Sequence, residues 1–477
     1  MRRWPAPAAP ARFPRAAETP HADGYRASVR THRGADALEL APLRGVRYAD
    51  PDAGRMLDSP DFDIARVLAP PYDVLDAASF ADLTRAEPHN AARLTVPPVT
   101  VGQRPGLGPP ITAADRYAAA ARTLRRWLAD GILVRDRQPA VYVYEQSLPG
   151  GERQRGLIGA LRLPDPSSPV VRPHEHVAPG PVFDRARLMA ATQANLEPIL
   201  LLYRGGTGAA ARITDTVAGT WPHPIVDTAT ADGAAHRLWA VTDTGLHGEI
   251  AADLAARTAL IADGHHRYAA YQRLKARRHG PGPWDHGLAL LVDSDSSPPH
   301  LGAIHRVLRG LATEAAVAAA SAVAEAVPLH GDAAGHPAPA AAAGGGALPA
   351  DADGPALVLA DPSRGQRFLL RVDAARMAAA YPDRSPGWRA LPTAALQFLM
   401  GVWGLGEDDV DLVHDDPAAA VAAARPDTDT AVLLGPVPVE DVYAVAAGGE
   451  LAPRKTTSFG PKPRTGLVLR TGGTGFS

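Results

Sequence analysis

The chain has 477 residues, 46% of them hydrophobic and 21% charged, and is long enough for two or three domains and a large core. The formal net charge of −2 favours neither nucleic acid nor an anionic membrane as a partner. The sequence contains no cysteine, which excludes disulfides, thiolate nucleophiles, zinc–thiolate sites and iron–sulfur clusters.

Composition changes along the chain predict four segments. Residues 1–37 are rich in Ala, Pro and Arg without periodicity, which predicts a disordered extension. A main α/β domain is expected over residues 38–310, a low-complexity linker or insertion over 333–355, and a C-terminal α/β region over 356–475 that packs on the main domain. Because helical and strand patterns are interleaved, we predict an α/β fold with a mixed sheet.

Hydrophobic periodicity places the individual elements. A helix is predicted over residues 113–129, where Ala118, Ala121, Leu124 and Leu128 share one face. Strands are predicted at 40–48, 141–144, 157–161, 198–203, 287–292 and 356–360, the second and third of these being consecutive in one sheet. The C-terminal α/β region is read from the segments 366–372, 373–380, 418–424, 431–434 and 466–469.

The most informative segment is residues 260–268, where an apolar strand pattern ends at Asp-Gly and a helical pattern follows at once. The polar or flexible residues at this corner are Asp263, Gly264, His265, His266 and Arg267. The first N–H groups of a helix lack intrahelical partners and the helix dipole is positive there, so the corner suits a phosphate group. Gly264 allows a ligand to approach the main chain. The alternative is that Asp263 only caps the helix and that the histidines are packed or surface residues.

Lysine usage adds a second indication. Only three of the 49 basic residues are lysines, and two of them, Lys455 and Lys462, fall in one short segment. Arginine has replaced lysine almost everywhere else, so these two positions suggest a need for a compact ammonium group instead of a planar guanidinium. We therefore place both lysines near the candidate site.

Two further polar turns carry candidate residues. His174 and His176 flank Glu175, and on an extended chain both imidazoles share one face with the carboxylate opposite. Together with Asp263 and His265 they would form a nitrogen and oxygen set suited to Zn²⁺, Mn²⁺ or Fe²⁺. A rigid turn at residues 69–75 carries Tyr72 and Asp73, a phenol and an acid. As single motifs, such turns are more often structural than functional.

These motifs, in this order, resemble the domain-of-unknown-function 1015 family. The resemblance rests on Pro70-Pro71-Tyr72-Asp73, Asn90 with Arg93, Pro173-His174-Glu175, Asp184-Arg185, Asn195 with Pro198-Ile199, the corner at 262–268, His305-Arg306 and Pro453-Arg454-Lys455-Thr456-Thr457. It spans about residues 38–470, and from these motifs we assign Asn90, Arg93, His174, Asp184, Arg185, Asn195, His305 and Arg306 to the candidate site, beside Tyr72 and Lys462. The family pattern has more aromatic residues after Thr457 than this chain, which puts a stacking role of Ser458 or Gly460 in doubt.

The corner itself also looks like that of free serine kinases of the ParB/sulfiredoxin-like superfamily, in which a similar turn and helix N-terminus hold nucleotide phosphates. This implies a ParB/sulfiredoxin-like element around residues 195–280. Sulfiredoxin chemistry needs a thiol that this chain lacks, and neither a helix-turn-helix nor a basic face indicates centromere binding. Small-molecule phosphoryl transfer is the better analogue, although the P-loop, the G-x-G-x-x-G turn and the G-x-S-x-G elbow are all missing.

The resulting hypothesis is a kinase-like phosphotransferase acting on a small-molecule substrate. His265, His266, Arg267, Gly264 and Lys455 would bind phosphate. Asp263 would hold Mg²⁺ or Mn²⁺ that accompanies a nucleotide, and either Glu175 or Asp73 would be the general base.

Two alternatives stay open at this point. One is a non-catalytic regulator that senses a nucleotide or metabolite at the same corner. The other is a metal-dependent hydrolase that uses His174, His176, Asp263 and His265. No apolar run reaches the ~18 residues of a membrane-spanning helix and no signal region is seen, so we expect a cytoplasmic protein with no membrane or nucleic-acid partner.

Overall fold

The computed structural model describes residues 37–49, 63–96, 113–278, 280–329 and 354–472. The chain divides into two units, residues 1–36 and residues 37–477, and every described residue belongs to the second. The predicted extension and the predicted linker lie almost entirely outside the described residues.

The described strands are numbered in chain order. They are β1 (Leu40–Ala41), β2 (Val46–Tyr48), β3 (Leu133–Arg135), β4 (Val141–Ser147), β5 (Arg153–Arg162), β6 (Val171–Arg172), β7 (Ala194–Asn195), β8 (Ile199–Tyr203), β9 (Val226–Ala229), β10 (Ala235–Val241), β11 (Ala259–Asp263), β12 (His286–Asp293), β13 (His300–Gly302), β14 (Ile304–Leu308), β15 (Ala324–Leu329), β16 (Ala356–Ala360), β17 (Arg367–Val372), β18 (Val410–His414), β19 (Thr430–Leu433), β20 (Ser458–Gly460) and β21 (Arg470–Thr471).

The described helices are numbered in the same way. They are α1 (Ile64–Val67), α2 (Ala77–Ala86), α3 (Ala92–Thr95), α4 (Ala113–Ala129), α5 (Pro179–Thr192), α6 (Ala209–Thr220), α7 (Thr244–Leu254), α8 (His265–Ala276), α9 (Thr313–Ala320), α10 (Ala374–Ala380), α11 (Pro386–Arg389), α12 (Pro392–Trp403), α13 (Pro417–Ala423) and α14 (Val439–Ala447). Short 3₁₀ turns cover Tyr72–Val74, Pro283–Asp285 and Glu407–Asp409.

A mixed sheet organises the first part of the fold. Within the described residues it has nine strands, in the order β6-β11-β8-β12-β5-β4-β10-β9, with β1 also paired to β5. The pairs β6–β11 and β8–β12 are parallel, and the other pairs are antiparallel. The predicted α/β fold with a mixed sheet is therefore confirmed.

A second, fully antiparallel sheet is built mainly from the later part of the chain. In the ranges described, it contains six strands in the order β15-β17-β16-β19-β14-β18. It takes in β14, so it includes residues on both sides of position 310, where the sequence suggested the end of the main domain. Arg306 lies in strand β14 of this sheet, and His414 lies at the end of strand β18.

The core lies on both faces of the mixed sheet because its central strands carry apolar side chains on both faces. Along β8, Ile199 and Leu201 pack with the helices α5 to α8, whereas Leu200 and Leu202 pack in the core that also contains Leu308 of the second sheet. Successive side chains of a strand point to opposite faces, so one continuous apolar run serves two cores. The mixed sheet is thereby covered by helices on one face and by the second sheet's region on the other.

Most predicted elements coincide with observed ones. The predicted helix at 113–129 is α4, and the predicted neighbours at 141–144 and 157–161 lie in β4 and β5, which pair antiparallel. The segment predicted as one strand at 40–48 is instead two, because β1 pairs with β5 and β2 pairs with β3. Pro42 between them cannot donate a ladder hydrogen bond. At 466–469 only the isolated bridge of Leu469 to Val46 forms, and the strand β21 begins one residue later.

No helix among the described residues is both long enough and apolar enough to cross a membrane.

Helix α8 begins at the predicted phosphate corner and packs closely against strand β12 of the mixed sheet at Gly287. A Cβ atom at this position in β12 would lie 2.3 Å from Cδ2 of Tyr271 on α8. The single proton of the Tyr271 hydroxyl group is shared between the backbone carbonyls of Glu197 and Leu288, whose oxygens lie at 3.3 and 3.2 Å. The missing side chain at Gly287 therefore lets α8 lie close to the strand.

Gly287→Ala is expected to lower the free energy of unfolding by about 1–3 kcal/mol, because the added methyl group overlaps a buried ring. Gly248→Ala is the control: Gly248 lies in α7 with no atom near its Cβ position, and alanine there should raise stability by about 0.5–1 kcal/mol. Urea unfolding of both variants measures the difference. Equal stability of the two variants would show that Gly287 does not limit the seating of α8.

Candidate functional site

A cavity of about 260 Å³ opens where β11 meets α8. Five stretches of chain that are far apart in sequence contribute to its wall. The lining residues are Tyr72, Asp73, Glu175, His176, Pro181, Ala262, Asp263, Gly264, His265, His266, Arg267, His414, Arg454, Lys455, Thr457, Ser458, Phe459 and Lys462. The structure therefore brings together the corner, the Tyr72-Asp73 turn, Glu175 and both lysines of the C-terminal motif.

Gly264 makes the sharp corner between β11 and α8. Its φ of +93° lies in the left-handed region, and a Cβ there would come within 2.8 Å of Ile199 Cγ2. No side chain caps the helix, and the first hydrogen bond within the turn is donated by the Tyr268 N–H to the Gly264 carbonyl. The first backbone N–H groups of α8 therefore have no intrahelical acceptor, and His265 and His266 line the cavity at the positive end of the helix dipole.

Asp263 does not cap α8, which was the alternative reading of the corner. Its Oδ2 accepts a 2.5 Å hydrogen bond from Arg267, and its Oδ1 lies 2.8 Å from Nζ of Lys462. The same ammonium group lies 2.6 Å from Asp73 Oδ2, so Lys462 bridges two carboxylates. Lys462 and Arg267 hold the pKa of Asp263 below its ordinary value despite burial, and the two carboxylates raise the pKa of Lys462.

Arg267 is 2% exposed and is already engaged by protein acceptors. One terminal nitrogen contacts Asp263, and the other donates to the carbonyl of Pro198 at 2.6 Å. Its guanidinium also faces the ring of Tyr72, at 5.8 Å from the centroid. Burial raises the pKa of Tyr72 to about 12, so this phenol stays protonated at neutral pH. The observed geometry makes Arg267 a residue that positions Asp263.

Both histidines of the corner accept hydrogen bonds from backbone N–H groups. Nε2 of His265 faces the N–H of His174 at 3.4 Å, and Nε2 of His266 accepts from Ala178 at 3.2 Å. Burial, followed by nearby positive charges, lowers the pKa of each ring, that of His265 most strongly. Both rings are therefore neutral at pH 7, with the proton on Nδ1 as a further donor.

Lys455 lines the same cavity as the helix corner. Its φ of +58° is uncommon for a residue with a side chain, and the backbone is held there partly by Arg306, which donates to the Lys455 carbonyl at 2.9 Å. Burial lowers the pKa of Arg306 to about 10. In the part of the chain that the structure describes, no carboxylate lies within 4 Å of the Lys455 ammonium group.

Thr457 joins a small polar cluster at the base of the cavity. Its Oγ1 lies 2.8 Å from Nε2 of His174 and 3.3 Å from Oε1 of Glu175. The Thr457 N–H also donates to Glu175, at 3.4 Å. A bridge between Glu175 and Ala452 brings the C-terminal segment to this position. The sequence motif contained Thr457 but gave it no role.

A second cavity of about 770 Å³ adjoins the first. The two share His176, Arg454 and Lys455. Apolar side chains from α11, α12 and the strands beside them form much of its wall: Trp388, Leu396, Met400, Leu405, Val410, Leu412 and Leu451. The size is in the range of small-molecule sites.

Two polar residues of the family motif support the chain behind the site. Asn90 is fully buried, donates to the carbonyls of Arg66 and Leu68, and accepts from the Ala92 N–H. Arg93 donates to the carbonyl of Thr84 at 2.6 Å. Neither lines the cavity.

The motif residues Asp184, Arg185, Asn195 and His305 do not line the first cavity either. Arg185 stacks over the Tyr72 ring at 4.1 Å and pairs with its neighbour Asp184. Asn195 accepts from Arg470 at 3.1 Å. His305 Nδ1 accepts from the backbone N–H of Leu434 at 3.2 Å, in the second sheet. Arg185 therefore supports Tyr72, whereas Asn195 and His305 fix more distant backbone.

Some lining residues carried no usable signal in the sequence. His414 reaches the cavity because β18 pairs with β14, a contact between residues over 100 positions apart. Arg454, Ser458 and Phe459 stand beside the predicted lysines but were not assigned to the site. Proximity to Lys455 and Lys462 was the one indication available for them.

No group of three or more His, Asp or Glu side chains within the described ranges is arranged to hold a metal ion. The set of His174, His176, Asp263 and His265 considered for a hydrolase is therefore not assembled as a metal centre.

Fold and site define an α/β protein with a cation-rich cavity at an uncapped helix N-terminus. The chain belongs to the family described as protein of unknown function DUF1015, whose pattern matches residues 40–394. No curated protein matches the chain.

The chain is also similar to several solved structures, including the kinases that the corner resembled. A free serine kinase in complex with AMP is 15% identical, with 63% of this chain and 88% of that chain covered and a TM-score of 0.33. SbnI with a C-terminal truncation from Staphylococcus aureus is 10% identical, with coverage of 66% and 87% and a TM-score of 0.35. A conserved hypothetical protein from Pyrococcus furiosus is 14% identical, with coverage of 62% and 92% and a TM-score of 0.30. At TM-scores below 0.5, these similarities lend no support to a particular function.

Asn90→Ala is expected to destabilise the fold by about 2–4 kcal/mol, because three buried backbone groups lose their partner. Asn90→Asp should cost a similar amount, since a carboxylate cannot donate to the two carbonyls. Urea unfolding measures both values. Unchanged stability with a changed ligand affinity would instead return Asn90 to the site.

Proposed function

We propose that the first cavity binds the phosphate groups of a nucleotide or another phosphorylated small molecule and that the protein transfers a phosphoryl group to a small acceptor. The observation that carries the proposal is the uncapped N-terminus of α8 in one cavity with Lys455 and Lys462. Backbone N–H groups at a helix start and nearby ammonium groups are a recurrent means of binding phosphate.

The charges that line the cavity favour an anion. The four cationic side chains are Arg267, Arg454, Lys455 and Lys462, against the three carboxylates Asp73, Glu175 and Asp263. Burial lowers the pKa of His176, His265, His266 and His414, so these rings add no positive charge at pH 7. One net positive charge and the helix dipole remain for a ligand.

Lys455 is the cation best placed to contact a phosphate. Arg267 and Lys462 are held by Asp263 and Asp73, and Arg454 pairs with Glu407. The role expected of Arg267 as a phosphate ligand thus becomes, in this proposal, the positioning of Asp263. His265 and His266 contribute their backbone N–H groups and neutral rings.

The adjoining cavity would hold the organic part of the ligand. A volume near 260 Å³ suits phosphate groups, and the second cavity of about 770 Å³ has the apolar wall that a base or an alkyl group requires. Lys455 and Arg454 line both cavities and would lie beside the connecting phosphates.

Glu175 is favoured over Asp73 as the general base for the acceptor hydroxyl group. Asp73 is engaged at 2.6 Å by Lys462, whereas the polar neighbours of Glu175 Oε1 are the main chain and hydroxyl of Thr457. A carboxylate that is not engaged by an ammonium group is available to an acceptor hydroxyl group.

The residues present do not fit a divalent cation on Asp263, because both oxygens of that carboxylate already face a cation. Charge neutralisation in this proposal comes from Lys455 and from the N-terminus of α8. The dependence of nucleotide binding on Mg²⁺ or Mn²⁺ tests this assignment.

Lys455→Gln is expected to weaken nucleotide binding about 10- to 100-fold, because one charge-assisted hydrogen bond to the phosphate is lost. Isothermal titration calorimetry with ATP, ADP and pyrophosphate, each with and without Mg²⁺, measures the dissociation constants. Lys275→Gln is the matched control, because Lys275 lies about 15 Å along α8 and donates to the Leu163 carbonyl. Failure of the unaltered protein to bind any phosphate compound would contradict the proposal, and binding without turnover would favour a sensing role.

Glu175→Gln should slow the conversion of ATP to ADP about 10²- to 10⁴-fold and leave the ATP dissociation constant within about threefold, as expected when a base is removed. The assay follows ADP release with a set of small hydroxyl compounds as acceptors. Glu152→Gln, at an exposed hairpin position, controls for loss of a carboxylate. An unchanged rate in Glu175→Gln would exclude Glu175 as the base.

A further inference from the structure

We propose that Thr457 is itself a phosphoryl acceptor, so that the protein phosphorylates its own Thr457 from a bound nucleoside triphosphate. This proposal rests on the proposed function, because it needs a nucleotide in the first cavity. It adds a covalent modification site to a residue that the family motif contains without a role.

Geometry gives Thr457 the environment of an activated hydroxyl group. Thr457 lines the cavity, and its Oγ1 lies 2.8 Å from Nε2 of the fully buried His174. A nucleophilic hydroxyl needs a base within hydrogen-bond distance, and a buried imidazole is the usual one. Lys455 stands two residues away in the same cavity wall, where phosphate oxygens would lie.

The pairing of His174 with Glu175 supports its use as a base. Burial lowers the pKa of His174, so the ring is neutral at pH 7, and in the tautomer with its proton on Nδ1 the Nε2 atom can accept the proton of Thr457. Glu175 Oε1 lies 3.8 Å from the same nitrogen and would offset the charge that the ring gains. Base and counter-charge are therefore both present beside Oγ1.

Neighbouring hydroxyl groups lack this arrangement. Thr456 is 5% exposed, does not line the cavity, and has its hydroxyl bonded to Thr393 and to the Pro453 carbonyl, at 2.8 and 2.6 Å. Ser458 lines the cavity, but its hydroxyl faces Asp415 at 3.4 Å and not a histidine. The inference is therefore specific to Thr457.

In the proposed step, Oγ1 of Thr457 forms a bond to the terminal phosphorus of the nucleoside triphosphate. The bond from that phosphorus to its bridging oxygen breaks, and the electron pair leaves with the nucleoside diphosphate. The Thr457 proton passes to Nε2 of His174. The products are phosphothreonine and a nucleoside diphosphate, with no oxidation or reduction.

The experiment incubates the purified, phosphatase-treated chain with ATP, with and without Mg²⁺, and maps phosphorylation by peptide mass spectrometry over time. Thr457→Val should remove the modification, and Thr457→Ser should restore it as phosphoserine. Thr456→Val is the matched control and should leave Thr457 phosphorylated. Circular dichroism and ATP titration of each variant show whether it is folded and binds nucleotide.

Phosphate at position 457 in the unaltered protein, in Thr457→Ser and in Thr456→Val would support the inference. ATP binding or turnover without any phosphate on Thr457 would overturn it and leave the proposed function standing. No ATP binding at all would overturn the proposed function and this inference with it.

Discussion

The candidate site depends on the ion pairs that the ammonium group of Lys462 makes with two carboxylates. This ammonium group lies 2.6 Å from Asp73 and 2.8 Å from Asp263, and Asp263 in turn binds Arg267. Three segments separated by about 190 to 200 residues are thereby held at one point. Charges taken out of water are costly unless they are paired, so the alternating order of carboxylate, cation, carboxylate and cation is what makes this cluster compatible with burial. The bridge also explains why lysine occurs here in a chain so rich in arginine, since a compact ammonium group can face two carboxylates at once.

The C-terminal segment completes the wall of the first cavity and contributes both of its lysines, Lys455 and Lys462. Glu197 accepts hydrogen bonds from the Tyr72 N–H at 3.0 Å and from the Thr465 hydroxyl at 2.8 Å. These two bonds join the turn at residues 69–75 to the C-terminal segment. Arg306 reaches from the second sheet to the Lys455 carbonyl. The cavity is therefore assembled only when the mixed sheet, the second sheet and the C-terminal segment are all in place. Strain at Lys455, whose φ is positive, is the local cost of presenting its ammonium group there.

Local patterns were sufficient to predict the α/β class, the central strands of the mixed sheet and the β11–α8 corner, because hydrophobic periodicity and an Asp-Gly break are properties of short segments. The lysines could be found from the arginine bias of the whole chain. The sequence could not predict which partner each of these side chains and strands would contact. The corner sequence cannot tell whether Arg267 points to a ligand or to the Pro198 carbonyl, and nothing near His414 indicates that β18 carries it to the cavity. The strand predicted at 40–48 divided because Pro42 interrupts the ladder, and the sequence alone did not show that its halves have different partners.

The most direct test of the account is a crystal structure of the protein with a non-hydrolysable ATP analogue. The account predicts phosphate oxygens at hydrogen-bond distance, about 2.7–3.2 Å, from the backbone nitrogens of His265 and His266 and from Nζ of Lys455. Lys462 should still bridge Asp73 and Asp263 in that complex. Phosphates bound away from the N-terminus of α8, with these backbone nitrogens facing solvent, would contradict it.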